Sequence, residues 1–285
     1  MPISTHDPRE CDGARKIHLE VTRAAKIDFG KTAEDYGRYR AGFPDEFFER
    51  VFSTGLAKQD DRMLDLGTGT GTVARGFAKR GCTVAALDPS RPLLEQAERL
   101  DREAEIDSIT YIEGRAEAIP FGDRSFDVVT AGQCWHWFDR TKAAAEAYRV
   151  LRARGRIIIA HFDWISLPGN IVEATEDLMA QHNPKRLLAG SGLHPESLRD
   201  LGIAGFTEIE TASFDVDVTY THEGWRGRAR AHGGVGGSLG VAEVLAFDNA
   251  LARLLGEKFP AQPLLVPHRV WYVTAVSGKK SFTKE

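Results

Sequence analysis

Three glycines at alternate positions are the residues of this sequence that most directly suggest chemistry: Gly67, Gly69 and Gly71. They follow an apolar run, residues 63–66, and precede a segment with helical spacing. Glycine accepts a positive φ angle and lets a ligand approach the main chain closely. A strand, a glycine turn and a helix in this order predict a ligand site at the carboxyl end of the strand.

Two acidic residues accompany the glycines. Asp65 lies two residues before the first glycine, and Asp88 ends the next apolar run. A carboxylate at Asp65 repels a pyrophosphate and attracts an ammonium group, whereas one at Asp88 can accept hydrogen bonds from ribose hydroxyls. A dinucleotide fingerprint would need glycine at Thr72, and no Gly-Lys-Ser/Thr follows as in a P-loop. The pattern favours an adenosine with a cationic amino-acid tail over a dinucleotide.

The elements that position these residues alternate between apolar strands and amphipathic helices. Strands are predicted at residues 62–66, 83–87, 109–112, 126–131 and 156–160, and Gly155 is predicted to mark the boundary before the fifth strand. Helices are predicted at residues 72–80, at the residues that follow an N-cap at Ser90, and at residues 143–151. Uniformly apolar strands in this alternation predict a doubly wound, Rossmann-like α/β sheet that is mostly parallel. Further along, residues 206–218 alternate like an antiparallel strand, residues 222–258 are helical with a glycine-rich joint, and residues 269–276 form a last strand.

Composition narrows the class of protein. The 285 residues carry 37 basic and 41 acidic side chains, a net charge of −4, which provides no basic footprint for nucleic acid. The longest purely aliphatic run, residues 157–159, is far too short to span a membrane. The first thirty residues contain no apolar signal segment, and the three cysteines lie far apart without a CxxC pattern. We expect a cytoplasmic protein without membrane or nucleic-acid partners, as a monomer or a homodimer.

Several motifs together resemble the class I S-adenosylmethionine-dependent methyltransferases. Residues 64–71, which include Thr68, are similar to the family's first motif, and Asp88, Pro89 and Ser90 to its second-strand acid. Residues 113–121 resemble the adenine-binding segment, although Arg115 stands where the family usually has Asp, which leaves contact with the base to Ala116 and Glu117. The resemblance covers roughly residues 29–161 and implies a seven-stranded sheet with an antiparallel last strand and S-adenosylmethionine as the cofactor.

The segment before the first strand, residues 36–44, resembles the lid of family members that act on small molecules. By that resemblance Tyr36 and Arg40 close over the methionine end of the cofactor, with Arg40 as a clamp on a carboxylate. The same resemblance implies that Tyr39 faces the substrate pocket. The alternative is an exposed basic and aromatic helix end.

A second aromatic group follows the fourth strand, at the edge where the methyl acceptor must lie. Gln133 suits a contact with the methionyl part of the cofactor, and Trp135, His136 and Trp137 suit the wall of the pocket. Because the histidine side chain ordinarily changes charge near neutral pH, His136 is the candidate general base, with His161 in reserve. These aromatic side chains could instead belong to the core.

The remaining histidines, at positions 194, 222, 232 and 268, lack ligand spacing, and no metal is expected. The glycines of residues 224–228 and 233–237 are interpreted as joints between helices that cover the site. The predicted organisation is an N-terminal extension, residues 1–28, and one methyltransferase domain, residues 29–285. Within that domain, residues 29–161 bind the cofactor, and insertions at 162–205 and 219–265 cover the substrate.

The function that follows is methyl transfer from S-adenosylmethionine to a small molecule, with S-adenosylhomocysteine as the product. Oxygen is the favoured acceptor atom, as a carboxylate or a hydroxyl, with nitrogen and carbon as alternatives. A carboxylate would need no general base. Two other functions stay open on sequence alone: a nicotinamide-dependent oxidoreductase, and a methyltransferase-like binding protein without turnover.

Overall fold

A seven-stranded sheet is the centre of the computed structural model, which describes Tyr39, residues 42–184 and residues 192–278. Its strands are β1 Arg62–Leu66, β2 Thr83–Asp88, β3 Ile109–Glu113, β4 Phe126–Gly132, β5 Leu151–Trp164, β6 Thr207–Tyr220 and β7 Leu264–Val276. They lie in the order β3-β2-β1-β4-β5-β7-β6. Strands β1 to β5 are mutually parallel, and β7 is antiparallel to both β5 and β6. The fold class expected from the sequence, with its antiparallel last strand, is confirmed.

Helices connect the strands and cover both faces of the sheet. They are α1 Asp45–Ser53, α2 Thr72–Ala78, α3 Arg91–Glu103, α4 Arg140–Val150, α5 Ile171–His182, α6 Glu196–Ile203, α7 His222–Arg230 and α8 Val241–Lys258. Side-chain caps begin three of them: Asp139 for α4, Asn170 for α5 and Thr221 for α7. Ser90 occupies the predicted cap position of α3, but its hydroxyl makes no capping hydrogen bond. Among the described residues no helix is both long enough and apolar enough to cross a membrane.

Successive side chains of the central strands point to opposite faces of the sheet, and this divides the core into two halves. Leu64 and Ile157 pack with α4 on one face, whereas Met63 and Ile158 pack with α1 and α2 on the other. Each such fully buried side chain stabilises the fold by about 1.5–3 kcal/mol. Both faces are therefore apolar, which is why these strands appear as continuous apolar runs in the sequence.

The strands on one side of the sheet are much longer than the others. β5, β6 and β7 have 13 or 14 residues, whereas β1 to β4 have 5 to 7. Their ends project beyond the carboxyl edge and support α5, α7 and α8 in a third apolar cluster around Trp164, Trp225 and Phe247. The indole N–H of Trp225 donates to the Thr175 hydroxyl at 3.0 Å in this cluster. A layer of helices thus stands beside the edge where parallel sheets bind ligands.

The prediction that Gly155 bounds the fifth strand is wrong. β5 begins at Leu151, directly after α4, and contains Gly155 within it. The register between β4 and β5 shifts between Phe126 and Val128, and a Cβ atom at Gly155 would lie 3.0 Å from the carbonyl oxygens of Arg152 and Asp127. Gly155 therefore lies at an irregularity inside β5, where other backbone atoms approach closely and leave little room for a side chain.

Candidate functional site

The glycine turn between β1 and α2 has left-handed backbone at all three glycines, with φ angles of 60°, 57° and 78°. Packing requires two of them: a Cβ atom at Gly67 would lie 2.8 Å from that of Cys134, and one at Gly71 would overlap the Tyr111 hydroxyl. A Cβ atom at Gly69 would meet no atom within 4 Å. Gly69 is therefore the glycine of this turn with open space at its Cβ position.

Asp65 is buried at the end of β1, below this turn. Its Oδ1 accepts a hydrogen bond from the Thr130 hydroxyl on β4 at 2.7 Å. Its Oδ2 is buried and makes no hydrogen bond within the described structure, and neither does the buried hydroxyl of Thr68. Burial raises the pKa of Asp65 to about 6, and the charge of Asp88 acts in the same direction, whereas the hydroxyls of Thr68 and Thr130 beside the carboxylate lower it. The site holds a carboxylate that a cationic ligand would stabilise.

Asp88 ends β2 and is joined to the glycine turn by its side chain. Its Oδ2 accepts the N–H of Gly69 at 2.9 Å, and its Oδ1 accepts the N–H of Ser90 at 2.8 Å. Burial raises its pKa, and these two backbone donors lower it. Each carboxylate oxygen retains acceptor capacity beyond one hydrogen bond. Asp88 thus fixes the position of Gly69 and can still accept hydrogen bonds from a ligand, while Pro89 beside it is exposed.

The segment predicted to bind adenine lies next to Asp88. Gly114 donates its N–H to the backbone oxygen of Asp88 at 3.1 Å. Ala116 is buried, and the Glu117 side chain accepts the N–H of Asp139 at 2.8 Å. The Glu117 side chain is thus tied to the residue that caps α4.

The residues after β4 separate into two groups. Trp135 is 1% exposed, packs in the core and donates its indole N–H to Asp200 on α6 at 3.0 Å. Its predicted place in the pocket wall is therefore corrected to the core. His136 and Trp137 are exposed, with their rings 4.6 Å apart. A single turn of 3-10 helix, Trp135–Trp137, produces this division because it turns successive side chains to different sides.

Gln133 has a φ angle of 62° and is held against β5 by both backbone and side chain. Its N–H donates to the Ala160 oxygen at 2.8 Å, and its side-chain amide donates to the Phe162 oxygen and, at 3.2 Å, to Asp163 Oδ1. The amide nitrogen is used within the protein, so the amide oxygen is the part left for a ligand.

Beyond Gln133, polar side chains of β5 meet a residue from the segment before α6. His161 is 2% exposed, and its ring stacks on that of His194, with centroids 3.5 Å apart. His194 Nε2 lies 2.8 Å from Asp163 Oδ2. His136 approaches the same group, with its ring centroid 5.9 Å from that of His161. Sequence analysis missed Asp163, for which the only signal was a carboxylate near the end of the fifth strand, and set His194 aside.

The lid residues lie largely outside the described part of the chain: Tyr36 and Arg40 are not among the described residues. Tyr39 is described and packs against α7. A Cβ atom at Gly227 would overlap the Tyr39 ring, and the guanidinium of Arg230 lies 5.8 Å from the centre of that ring. Gly227, interpreted from the sequence as a joint, instead lies inside a helix and admits this aromatic ring.

This geometry defines an α/β protein with a candidate ligand site at the carboxyl edge of a doubly wound sheet. Residues 64–159 match the family described as a methyltransferase domain. The uncharacterized methyltransferase Rv3342 of Mycobacterium tuberculosis is 34% identical over 135 residues, which are 47% of this chain and 52% of that protein. The demethylmenaquinone methyltransferase of Thermotoga maritima is 34% identical over 138 residues, 46% of this chain and 58% of that one. The matched stretch thus spans about half the length of these relatives.

Solved structures extend the likeness of the fold beyond the matched stretch. YcgJ of Bacillus subtilis aligns with a TM-score of 0.55 at 18% identity, over 83% of this chain and all of that one. The phosphoethanolamine N-methyltransferase 2 of Haemonchus contortus, in complex with phosphomonomethylethanolamine and S-adenosylhomocysteine, aligns with a TM-score of 0.53 at 20% identity, over 91% of this chain and 59% of that one. Residues 64–159 are thus similar to a methyltransferase domain, and the solved structures share the fold of the chain.

Proposed function

We propose that this protein transfers the methyl group of S-adenosylmethionine to an oxygen atom of a small molecule. The observation that carries the proposal is the pair formed by Gly69 and Asp88. The glycine leaves open space at its Cβ position, and the acid holds its amide while keeping free acceptor capacity. An adenosyl group fits this arrangement because its ribose hydroxyls can donate to Asp88 while its edge lies over Gly69.

The cationic end of the cofactor fits the other carboxylate. Asp65 Oδ2 is buried without a hydrogen bond, and an ammonium group within reach would supply the missing donor and favour the ionised form. Gln133 offers its amide oxygen along the same edge of the sheet, and the lid residues Tyr36 and Arg40 stay assigned to the methionine end. Ala116 and Glu117 are assigned to the adenine.

The proposed methyl transfer requires the protein mainly to align the acceptor with the methyl group. When bound, S-adenosylmethionine supplies a methyl group that is already activated on a sulfonium. The chain's own residues hold the acceptor in line with that group and exclude water, and such positioning can correspond to an effective molarity of about 10⁵ M or more. His136, Trp137 and His161 are assigned to the acceptor side. We assign residues 29–161 to the cofactor and the insertions 162–205 and 219–265 to the cover of the acceptor.

Calorimetry with three nucleotides tests the cofactor assignment. S-adenosylmethionine and S-adenosylhomocysteine should bind to the full chain, and NAD should not. The D88A variant should weaken S-adenosylhomocysteine binding by about 1–3 kcal/mol, since it loses hydrogen bonds to the ligand and the tether on Gly69. Tight binding of NAD without binding of S-adenosylhomocysteine would refute the proposal.

A turnover assay tests whether a methyl group is transferred and which atom of the acceptor receives it. The enzyme is incubated with S-adenosylmethionine and a panel of small carboxylates, phenols, alcohols and amines, and the S-adenosylhomocysteine formed is measured by mass spectrometry. Methylated oxygen in the product is the expected result. Product methylated only on nitrogen or carbon would refute the choice of oxygen while leaving methyl transfer intact.

A further inference from the structure

A histidine and a carboxylate form a close pair beyond the last register pair of β4 and β5, Gly132 with Ala160. Asp163 lies three residues past Ala160 on β5, and His194 reaches it from the segment before α6. His194 Nε2 and Asp163 Oδ2 are 2.8 Å apart, within the range of a charge-assisted hydrogen bond. Both side chains are partly buried. The pair therefore lies above the carboxyl edge, beside the residues assigned to the acceptor.

The protonation of this pair follows from its surroundings. Burial by itself raises the pKa of Asp163, but the hydrogen bond with His194, together with the positive charge of His161 and His194 when these rings are protonated, holds that pKa well below its usual range. An ionised carboxylate only accepts hydrogen bonds, so the hydrogen between the two groups belongs to His194 Nε2. In a neutral imidazole the lone pair is then on Nδ1.

Among the residues that the structure describes, none makes a hydrogen bond of normal length with His194 Nδ1. Its neighbour is Glu196 Oε1 at 3.6 Å, which exceeds hydrogen-bond distance, and the Glu196 side chain is about half exposed. The flat face of the ring is covered by His161, and Trp271 of β7 lies 5.6 Å away between centroids. The ring is thus fixed by Asp163 and His161 with one nitrogen directed away from Asp163.

The charged and titratable groups around His194 come from four elements. Asp163 and His161 lie on β5, Glu196 begins α6, and His136 adjoins His161 from the turn after β4. From β7, Arg269 lies under Gly192, and its guanidinium pairs with Asp215 of β6 at 2.7 Å. Two carboxylates therefore flank His194, which makes the surroundings unfavourable for an anionic acceptor.

A metal ion explains the cluster less well. The ligand atoms of His161, Asp163 and His194 lie within 4.8 Å of one another. However, the two imidazole rings are stacked at 3.5 Å with an angle of only 12° between their planes. Imidazole binds zinc through an in-plane lone pair at about 2.0–2.1 Å, and two parallel, stacked rings cannot direct such lone pairs at one ion.

We propose that His194, oriented by Asp163, is the general base of the acceptor site, and that the acceptor is a neutral hydroxyl group rather than a carboxylate. This inference rests on the proposed methyl transfer and adds the acceptor group. The hydroxyl proton passes to His194 Nδ1 as the acceptor oxygen bonds to the methyl carbon. The bond from methyl carbon to sulfur breaks, and its electron pair stays on sulfur as the thioether. The imidazolium then releases its proton to water.

The first experiment reads the histidine directly, without turnover. Long-range ¹H–¹⁵N spectra of the full chain, alone and with S-adenosylhomocysteine, report which nitrogen of His194 carries the proton. We expect a neutral ring at pH 8 with its proton on Nε2, and loss of that preference in D163N. A proton on Nδ1, or a ring doubly protonated up to pH 9, would overturn the proposal.

The second experiment compares D163N and H194Q with H222Q as the control. His222 contacts the backbone oxygen of Phe259 in the cover and has no assigned role. H194Q and H222Q should bind S-adenosylhomocysteine like the wild type, whereas D163N also changes a partner of the Gln133 amide. With a phenol or alcohol acceptor, H194Q should lower kcat by about 10²-fold or more and abolish the acidic limb of the pH profile, and D163N should shift that limb. H222Q should change neither.

Three results count against the inference, and one separates it from the proposed function. Undiminished kcat in H194Q, or a carboxylate as the methylated group, would overturn it. Uptake of one Zn²⁺ per chain in calorimetry, lost in H194Q, would assign the cluster to a metal instead. If the wild type fails to bind S-adenosylhomocysteine, the proposed function itself fails, whereas the NMR result for the His194 proton is obtained without that ligand.

Discussion

At the scale of the residue, Asp65 connects the cofactor site to the stability of the protein. Its pKa rises from 3.8 to about 6 because the folded chain removes the carboxylate from water. Between these two pH values the folded protein holds a proton that the unfolded chain releases. The stability that this group contributes is therefore fully present below about pH 4 and lost as the pH rises through 6.

Replacement of Asp65 by Asn should remove this pH dependence. In the wild-type apoprotein the free energy of unfolding should fall by about 1–1.5 kcal/mol from pH 5 to pH 8, which is roughly half of the effect of this group over the whole pH range. The D65N variant should lack that fall, and S-adenosylhomocysteine binding should be lost with it. Urea denaturation across this pH range measures the first effect. The exposed Asp107, changed to Asn, is the matched control; a D65N profile identical to that of D107N and the wild type would contradict the assignment.

Gly69 offers a second test, because another glycine has the same backbone without a ligand site. Gly55, after α1, has a φ angle of 70°, and a Cβ atom there would meet nothing within 4 Å. G69A and G55A should each lose about 1–2 kcal/mol of stability from left-handed strain. Only G69A should lose affinity for S-adenosylhomocysteine, since its methyl group enters the ligand space. Calorimetry and thermal unfolding distinguish the two, and equal affinities would show that Gly69 does not contact the ligand.

At the scale of the element, the layer of helices beside the site depends on a buried ion cluster. Asp248 of α8 pairs with two arginines of α7, Arg226 and Arg230, the latter at 2.8 Å. Burial raises the pKa of Asp248, but hydrogen bonds from both arginines hold it below its usual value. The contribution of this carboxylate is therefore present above about pH 4 and lost as the pH falls further.

Replacement of Asp248 by Ala should destabilise this layer by about 2–4 kcal/mol, because two partly buried arginines lose their partner. The exposed pair of Arg154 and Glu208 supplies the control, and E208A should cost less than about 1 kcal/mol. Urea denaturation at pH 7 gives both values. Equal losses would mean that solvent screens the Asp248 cluster as fully as it screens the surface pair.

At the scale of the whole molecule, Tyr39 and α7 join the segment before the first strand to the insertion after β6. Gly227 permits this contact because a side chain there would overlap the Tyr39 ring. Alanine in a helix normally stabilises relative to glycine by about 1 kcal/mol. G256A in α8, where a Cβ atom meets nothing within 4 Å, should show that gain.

G227A should instead lose stability, and its affinity for S-adenosylhomocysteine should fall because Tyr39 is displaced. In a Y39A background the same substitution should become stabilising, since the overlap is gone. Thermal unfolding of the four proteins of this double-mutant cycle measures the coupling. A G227A that is stabilising with Tyr39 present would show that the two segments do not depend on each other.

Sequence alone predicted the parts of this protein that are encoded locally. The alternation of short apolar runs with helical spacing predicts a parallel sheet, because each strand must be buried on both faces. The spacing of Gly67, Gly69 and Gly71 predicts the turn after β1, since only glycine adopts three left-handed angles at so little cost. Asp65 and Asp88 were predictable for the same reason, as each ends a strand that its own residues define.

Tertiary structure decided which side chains meet. Trp135 and His136 are adjacent in one helical turn, yet the first lies in the core and the second is exposed. This difference depends on α6, which packs against Trp135 and accepts its indole hydrogen bond. Asp163 and His194 are 31 residues apart, and no periodicity relates them. Local patterns report burial and backbone preference, whereas contacts between distant segments follow from how the long strands and the covering helices pack together. The residues proposed to bind the cofactor could therefore be predicted from the sequence, whereas those proposed for the acceptor could be identified only in the folded chain.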